Sequence, residues 1–323
     1  MPGSRPKKHH YIPQVLLAGF TDDGTSAGTL FIADLVRLKT YASTPEGTGA
    51  ETNYNLLEGD GLDPFGIESD LLATHIEGPV GSVFQKLRSG TALTTDEEKM
   101  ALLNFMAMQA IRSPNRRDAH NRFTTDVMRQ IIAVVTESDE TFVAYKRAHP
   151  ELAELTREDL IEWAANTTMK WGPTGHLRAY LPSFGPIYDL LTMRSWSLLV
   201  APSNVDFVCT DDPVAFVPVG AKSPYAPRGF IDPDPVVMPV GKRHAMLGVF
   251  PPPDAEPSWT SMSINARKVA ALNTALLAVA SRFVASPQDD FTWLRPTTGD
   301  IVDRAAFLAF LTGQRATTEE SDA

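Results

Sequence analysis

A pair of adjacent histidines near the start of the chain is the first candidate for chemistry. His9 and His10 are followed at once by Tyr11 and by apolar residues at 15–17. Histidine titrates near neutral pH and is the commonest metal ligand, so either imidazole is a candidate catalytic base or metal ligand. Adjacent side chains of an extended segment point to opposite sides, so we do not expect both to bind one metal. The alternative is a histidine that docks the segment by hydrogen bonding to backbone.

Two acidic residues, Asp211 and Asp212, follow a predicted strand at 207–210 and precede Pro213. Loops that leave a rigid strand commonly carry functional side chains, and Mg²⁺ sites use one or two carboxylates. Asp211 is therefore a candidate catalytic residue and metal ligand. The alternative is structural, because an aspartate ahead of a proline commonly starts a turn by bonding its own backbone.

Three further charged residues complete the candidate site. Glu77 lies at a Gly-Pro break in a helical pattern, where its side chain could turn inward and bind a metal with Asp211 and His10. Arg112 ends an apolar helix, and Arg282 follows the last long helix. A guanidinium suits phosphate or carboxylate, so both arginines are candidate anion ligands. Each residue also has a plainer interpretation: Glu77 as a solvated helix residue, Arg112 in a structural salt bridge, and Arg282 paired with Asp211.

Strands are predicted at both ends of the chain, from short apolar and β-branched runs bounded by turn residues. They lie at 30–35, 39–42 and 53–57, then at 196–201, 207–210, 236–240 and 244–250. The middle third instead has apolar residues at helical spacings of three and four.

Predicted helices begin at Ile67, with a break at Gly78-Pro79, and at a capping box that opens with Thr95. Others cover 116–135, 156 to about 171, and 264–279. The pattern predicts an α+β fold, in which a central helical block packs with a mainly antiparallel sheet contributed by the N- and C-terminal thirds.

The predicted organisation is a flexible start at 1–6, a single domain at 7–315 and a disordered acidic tail at 316–323. Within the domain, 7–62 is a β element with the histidine segment, 63–195 is the helical block, and 196–315 holds the remaining strands and the last helix.

Composition limits the class of protein. The 323 residues carry a net charge of −10, which argues against non-specific coating of nucleic acid, although the arginines at 112, 116, 117 and 122 leave room for a local basic cleft. The single cysteine, Cys209, excludes an intramolecular disulfide and is interpreted as a core thiol. The sequence has no apolar run long enough for a membrane span and no secretory signal pattern. We therefore expect a cytoplasmic protein without membrane contact.

The run Lys8-His9-His10-Tyr11-Ile12-Pro13-Gln14, continuing to Leu17 and Phe20, resembles the opening signature of DUF4238, a bacterial family of unknown function. Three later segments also resemble it, namely 112–114, 209–213, and Asn273 with 282–284. The resemblance runs from about residue 7 to about residue 286. The sequence departs at Asp212, where the family usually has Asn, and at 238–241, where it usually has a Pro-Leu-Ser-Pro-like run. The family name implies no activity.

Histidine, carboxylate and arginine occur here without a Gly-rich phosphate loop, a cysteine-pair zinc pattern or a serine elbow. This favours a metal-assisted hydrolase that acts on a phosphodiester, as a nuclease does, with Mg²⁺ or Mn²⁺ held by Asp211, Glu77 and His10. Two alternatives stay open: a non-catalytic module that binds a small anionic ligand or a partner protein, and an enzyme that modifies a small molecule. The hydrolase hypothesis requires an imidazole of the histidine pair and the carboxylate of Asp211 to meet in a solvent-accessible hollow.

Overall fold

Strands from the two ends of the chain share one sheet, and helices occupy the middle. The computed structural model describes residues 8–218 and 229–321. The strands of the first third are β1 (Lys8–His10), β2 (Leu30–Asp34), β3 (Lys39–Ser43) and β4 (Ala50–Thr52). Those that follow the helices are β5 (Ser195–Val200), β6 (Cys209–Thr210), β7 (Ala215–Phe216), β8 (Val236–Gly241), β9 (His244–Val249), β10 (Trp259–Ser263), β11 (Phe283–Ser286), β12 (Trp293–Leu294) and β13 (Ile301–Val302).

The α-helices are α1 (Gln14–Leu17), α2 (Gly78–Arg88), α3 (Asp96–Arg112), α4 (Pro114–Val135), α5 (Asp139–Ala148), α6 (Arg157–Asn166), α7 (Pro173–Tyr180), α8 (Phe184–Thr192), α9 (Ala266–Val279) and α10 (Arg304–Ser321). Short 3₁₀ turns lie at Ala18–Phe20, Pro150–Leu152 and Leu181–Ser183, and a π-helix covers Ile67–Glu77. The predicted capping box is present, since Thr95 and Glu98 bond each other's backbone N–H groups at the start of α3.

Two main sheets carry the strands. One has the order β3-β2-β11-β6, and the other has the order β10-β5-β9-β8-β7. All pairs within them are antiparallel except β10 with β5, which is parallel. In the first sheet β11 pairs with β2, so that Phe283 lies opposite Asp34. The predicted α+β class is confirmed, although the described strands form two main sheets and two two-stranded ones, β1-β4 and β12-β13, instead of one sheet.

One hydrophobic core joins both main sheets to helices α1, α2, α3, α8 and α9. Leu16, Phe84, Phe105, Trp196 and Leu276 belong to one contiguous cluster, and each has at most 1% of its surface exposed. The segment that carries the histidines therefore docks on the core through α1, as its apolar residues predict. A second, small cluster joins α4 to α6 through Ile132, Leu160 and Ala164. Within the part of the chain that the structure describes, no helix is long and apolar enough to cross a membrane.

Three local predictions differ from the structure. The strand predicted at 53–57 is absent, because Asn53 has a φ of +58° and ends β4 there. The helix predicted to reach about residue 171 ends at Asn166, because the backbone N–H groups of Met169 and Trp171 donate to side chains of α4 instead. The predicted break at Gly78-Pro79 is a change of winding from π-helix to α-helix.

At the C-terminal end the backbone is helical as far as Ser321, and the disordered tail expected at 316–323 stays a prediction. The flexible start predicted at 1–6 and the last two residues lie outside the described residues.

Candidate functional site

A two-stranded ribbon fixes the histidine segment. β1 pairs antiparallel with β4, which places His9 opposite Glu51. Tyr11 and Ile12 then donate their backbone N–H groups to the carbonyl of Gly49, at 2.8 and 3.1 Å. Gly49 has a φ of +69°, and a Cβ atom there would lie 2.9 Å from the Cβ of Ile12. The ribbon therefore requires glycine at this position.

His9 has a structural role in this ribbon. The residue is completely buried, and its Nδ1 accepts a hydrogen bond of 3.0 Å from the backbone N–H of Asn55. Its ring contacts Phe65 edge-on, with the ring centroids 5.8 Å apart. The Nε2 atom is buried and has no hydrogen-bond partner among the described residues. These contacts agree with the docking interpretation of His9, since a catalytic base must reach its substrate.

His10 is partly buried, and its Nε2 also has no partner within the described residues. Burial lowers the pKa of His10, against the opposing effect of the Glu46 backbone, so the neutral imidazole is favoured. Across residues 8–218 and 229–321 there is no group of three or more His, Cys, Asp or Glu side chains that could hold a metal ion. The predicted metal site formed by His10, Glu77 and Asp211 is therefore not assembled.

Asp211 lies where β6 ends and is completely buried. Its Oδ1 accepts the backbone N–H groups of residues 281, 282 and 283, at 2.9, 3.0 and 3.3 Å. Its Oδ2 accepts the hydroxyl of Ser281 at 2.5 Å. The carboxylate is thus occupied by protein donors and has no access to solvent. This corrects the prediction of a catalytic or metal-binding Asp211 that meets an imidazole in a shared hollow.

Arg112 and Glu77 pair with each other. Arg112 Nη2 lies 2.9 Å from Glu77 Oε1, and only 3% of the arginine side chain is exposed. The backbone carbonyl of Arg112 also accepts the hydroxyl of Tyr54, at 2.7 Å. In the amide orientation that satisfies both groups, the Gln109 oxygen accepts from Nε and Nη2 of Arg112. Arg112 therefore forms the structural salt bridge that was the alternative to its predicted role as an anion ligand, and Glu77 is its partner.

Arg282 is a predicted site residue whose side chain is partly exposed. Its guanidinium contacts Glu51 through Nη1 and Asp118 through Nη2, each at 3.3 Å, and 37% of its side chain is exposed. Burial lowers the pKa of Arg282, but Asp118 and Glu51 outweigh burial, so the pKa is raised and the guanidinium stays charged. The alternative interpretation, in which Arg282 pairs with Asp211, does not hold for the side chain, because Asp211 bonds the backbone of Arg282 and not its guanidinium.

A pocket of about 420 Å³ opens beside this guanidinium. Two arginines, Arg37 and Arg282, line it together with the carboxylates of Asp34 and Glu51. The other lining residues include two tyrosines and residues 47–50. Asp34 is bound to Arg37 Nη1 at 2.9 Å and to two backbone N–H groups. Positive and negative charges on the wall are therefore equal in number.

The tyrosines of the pocket are Tyr11 and Tyr41. Burial raises the pKa of both phenols, and the neighbouring carboxylates of Asp211 and Asp34, respectively, add to the effect. Each phenol is therefore protonated at neutral pH and is able to donate a hydrogen bond. Tyr11 also packs against Tyr54, with ring centroids 5.2 Å apart. The guanidinium of Arg117 lies over the Tyr54 ring at 3.3 Å.

Sequence reasoning missed most of the charged residues of this pocket. Glu51 became part of it through the pairing of β4 with β1, which no local pattern predicts. Asp118 contacts Arg282 but does not line the pocket, and it lies two residues beyond Arg116 in an arginine-rich run. Arg37 follows the predicted strand β2 in a turn, where a charged residue is ordinary. Only Arg282 was predicted.

A sequence model of the family described as "Protein of unknown function (DUF4238)" matches residues 8–290. No curated protein and no solved structure matches the chain. The matched region contains the histidine segment, Asp211 and Arg282.

We predict that Asp211→Ala lowers the free energy of unfolding by roughly 3 kcal/mol or more, because it leaves several buried donors without an acceptor. Urea denaturation followed by tryptophan fluorescence measures the change. Asp300→Ala is the matched control, because Asp300 is exposed. Equal midpoints for wild type and Asp211→Ala would show that the carboxylate does not hold the 281–283 backbone.

The burial of the neighbouring residue, Asp212, leads us to predict that the stability of the protein depends on pH. It is 3% exposed, and its Oδ1 has no partner among the described residues. Burial raises its pKa to about 7, against the opposing effect of Arg116. The folded state therefore holds the proton more tightly than the unfolded chain, whose pKa is about 3.9. The resulting stabilisation is complete below the unfolded pKa and is lost as the pH rises towards 7.

Asp212→Asn removes this titration. We expect the variant to gain stability over wild type at pH 8 by roughly 2 kcal/mol more than it does at pH 5. Denaturation curves of both proteins at the two pH values test this. A difference between variant and wild type that is the same at pH 5 and pH 8 would contradict it.

Proposed function

The chain belongs to the DUF4238 family of proteins of unknown function, and we propose a function for it from the residues of the pocket beside Arg282. The chain binds a small ligand there that carries a carboxylate or phosphate group. The observation that carries this proposal is a charged, partly exposed guanidinium at the wall of the pocket, fixed in place by contacts on both its backbone and its side chain.

Preorganisation supports binding at Arg282. The bond from its backbone N–H to Asp211 fixes the residue, and the two carboxylates orient its guanidinium. A guanidinium has five N–H groups, and these two contacts of 3.3 Å leave donors for a ligand. An arginine that is already ordered loses less entropy when it binds an anion. Arg37, with 68% of its side chain exposed, supplies a second cation.

The charge balance of the pocket supports a small ligand over a nucleic acid. Arg37 and Arg282 are matched by Asp34 and Glu51 on the same wall, and the whole chain has a net charge of −10. Binding to a polynucleotide depends on a surplus of cations along its backbone. A pocket without that surplus selects an anionic group through directed hydrogen bonds from guanidinium and phenol. The small-ligand alternative is therefore the better supported of the sequence-based hypotheses.

We predict that inorganic phosphate or citrate raises the melting temperature of the protein at millimolar concentration, and that Arg282→Gln weakens this binding about tenfold or more. Differential scanning fluorimetry and isothermal titration calorimetry measure the two effects. Arg267→Gln is the matched control, because Arg267 is an exposed arginine outside the pocket. If neither anion binds, or if Arg282→Gln binds as wild type does, the pocket is not an anion site.

A second candidate function is hydrolysis of a phosphodiester, favoured by the two carboxylates that contact the same guanidinium. A phosphate bound at Arg282 would lie beside Glu51 and Asp118. Such carboxylates are able to act as a general base, or to hold Mg²⁺ or Mn²⁺ together with the substrate phosphate. This hypothesis retains the phosphodiester hydrolysis predicted from sequence. It assigns the acidic residues as Glu51 and Asp118 instead of Asp211 and Glu77.

We predict for this second function that Glu51→Gln and Asp118→Asn each reduce turnover of bis(p-nitrophenyl) phosphate about 100-fold or more. RNA and DNA serve as further substrates, with and without Mg²⁺ or Mn²⁺. Arg267→Gln is again the control. Absence of turnover in wild type, or equal turnover in wild type and both variants, removes the hydrolase hypothesis and leaves the binding function untouched.

A further inference from the structure

Opposite charges adjoin on the wall of the pocket beside Arg282. Arg282 and Glu51 both line the pocket, and Nη1 of the arginine lies 3.3 Å from Oε1 of the glutamate. The arginine side chain is 37% exposed and the glutamate side chain 43% exposed, so both charged groups are accessible to a ligand. A ligand that contacts one of these charges therefore also lies beside the other.

Glu51 is the carboxylate of the pocket that has an acceptor available for a ligand. Its Oε1 contacts Arg282, and its Oε2 makes no hydrogen bond to a residue within 8–218 or 229–321. Asp34 differs, because its Oδ1 accepts two backbone N–H groups, its Oδ2 accepts from Arg37, and only 7% of its side chain is exposed. A cationic group of a ligand is thus bound by Glu51 in preference to Asp34.

Arg282 supplies the donors on the same wall. Its contacts with Glu51 and Asp118 use one N–H group of each terminal nitrogen, and a guanidinium has five N–H groups. A ligand carboxylate at the remaining donors lies beside the carboxylate of Glu51, and like charges at such a separation repel each other. A ligand that carries a cationic group next to its anionic group replaces this repulsion with an attraction.

Exposed apolar surface lies in the same pocket. Val36 and Tyr41 line it and are 56% and 44% exposed. Covering apolar and aromatic surface is favourable. An uncharged, apolar part of a ligand therefore has a place to pack beside the two charges.

We propose that the ligand is a free α-amino acid with an apolar side chain, an inference that rests on the proposed binding function. Its α-carboxylate binds Arg282, its α-ammonium binds Oε2 of Glu51, and its side chain packs against Tyr41. A single carbon atom separates the two charged groups of an α-amino acid, which matches the adjacent charges on the wall. A ligand without net charge also matches a wall on which positive and negative charges are equal in number.

Three ligands with the same ring and the same chain length test this on the wild-type protein. L-phenylalanine has both charged groups, hydrocinnamate lacks the ammonium, and phenethylamine lacks the carboxylate. Isothermal titration calorimetry is expected to show that each singly charged ligand binds about tenfold or more weakly than L-phenylalanine, because each loses one charge-assisted contact. This comparison does not depend on the folding of any variant.

Two variants assign the contacts. Glu51→Gln is expected to weaken the binding of L-phenylalanine about tenfold or more and to leave hydrocinnamate binding unchanged or tighter, because the variant removes only the anionic partner. Arg282→Gln is expected to weaken both. Glu46→Gln is the matched control, because Glu46 is an exposed glutamate that does not line the pocket. Melting temperatures without ligand check that each variant is folded.

The outcomes separate this inference from the binding function on which it rests. Hydrocinnamate, phosphate or citrate binding at Arg282 as tightly as L-phenylalanine overturns the amino-acid assignment and leaves the anion site in place. Unchanged binding of L-phenylalanine by Glu51→Gln overturns the assignment in the same way. If wild type binds none of these ligands, the binding function and the inference both fall.

Discussion

The buried carboxylate of Asp211 ties together parts of the chain that the rest of the structure depends on. A carboxylate removed from water is strongly unfavourable unless hydrogen bonds replace its hydration. Asp211 accepts the backbone N–H groups of residues 281–283 and the hydroxyl of Ser281. The end of β6 is thereby joined to the turn between α9 and β11. Because β11 pairs with β2 on one side and β6 on the other, this turn also sets how the two ends of the chain meet.

The same turn positions the pocket. Arg282 is the middle residue of the three that Asp211 holds, and its guanidinium reaches Glu51 on β4 and Asp118 on α4. Glu51 is in place because β4 pairs with the histidine strand, whose continuation requires Gly49. Three separate regions therefore meet at one guanidinium. Their positions depend on backbone hydrogen bonds that form only when the whole fold is assembled.

Local signals were predicted well and long-range ones were not. The capping box at Thr95 and the strand β2 are encoded by neighbouring residues, so their elements are found from sequence. No strand forms at 53–57, and the strand β4 at Ala50–Thr52 was not predicted, because its position depends on pairing with β1. Asp211 shows why the site could not be predicted in full from the sequence. An aspartate is able to bind a metal, a guanidinium or backbone N–H groups, and the donors that Asp211 binds lie about 70 residues later in the chain.

The alternative that paired Asp211 with Arg282 therefore named two residues that do interact, but through the Arg282 backbone and not its guanidinium. An aspartate that neutralised the guanidinium would bury both groups and close the pocket, whereas one that binds only the backbone leaves the guanidinium at the surface. His9 and Asp211, which have the most distinctive sequence pattern, form hydrogen bonds that hold the fold together. Under the proposed binding function, specificity would come from the residues around Arg282 that line the pocket, such as Arg37 and Tyr41.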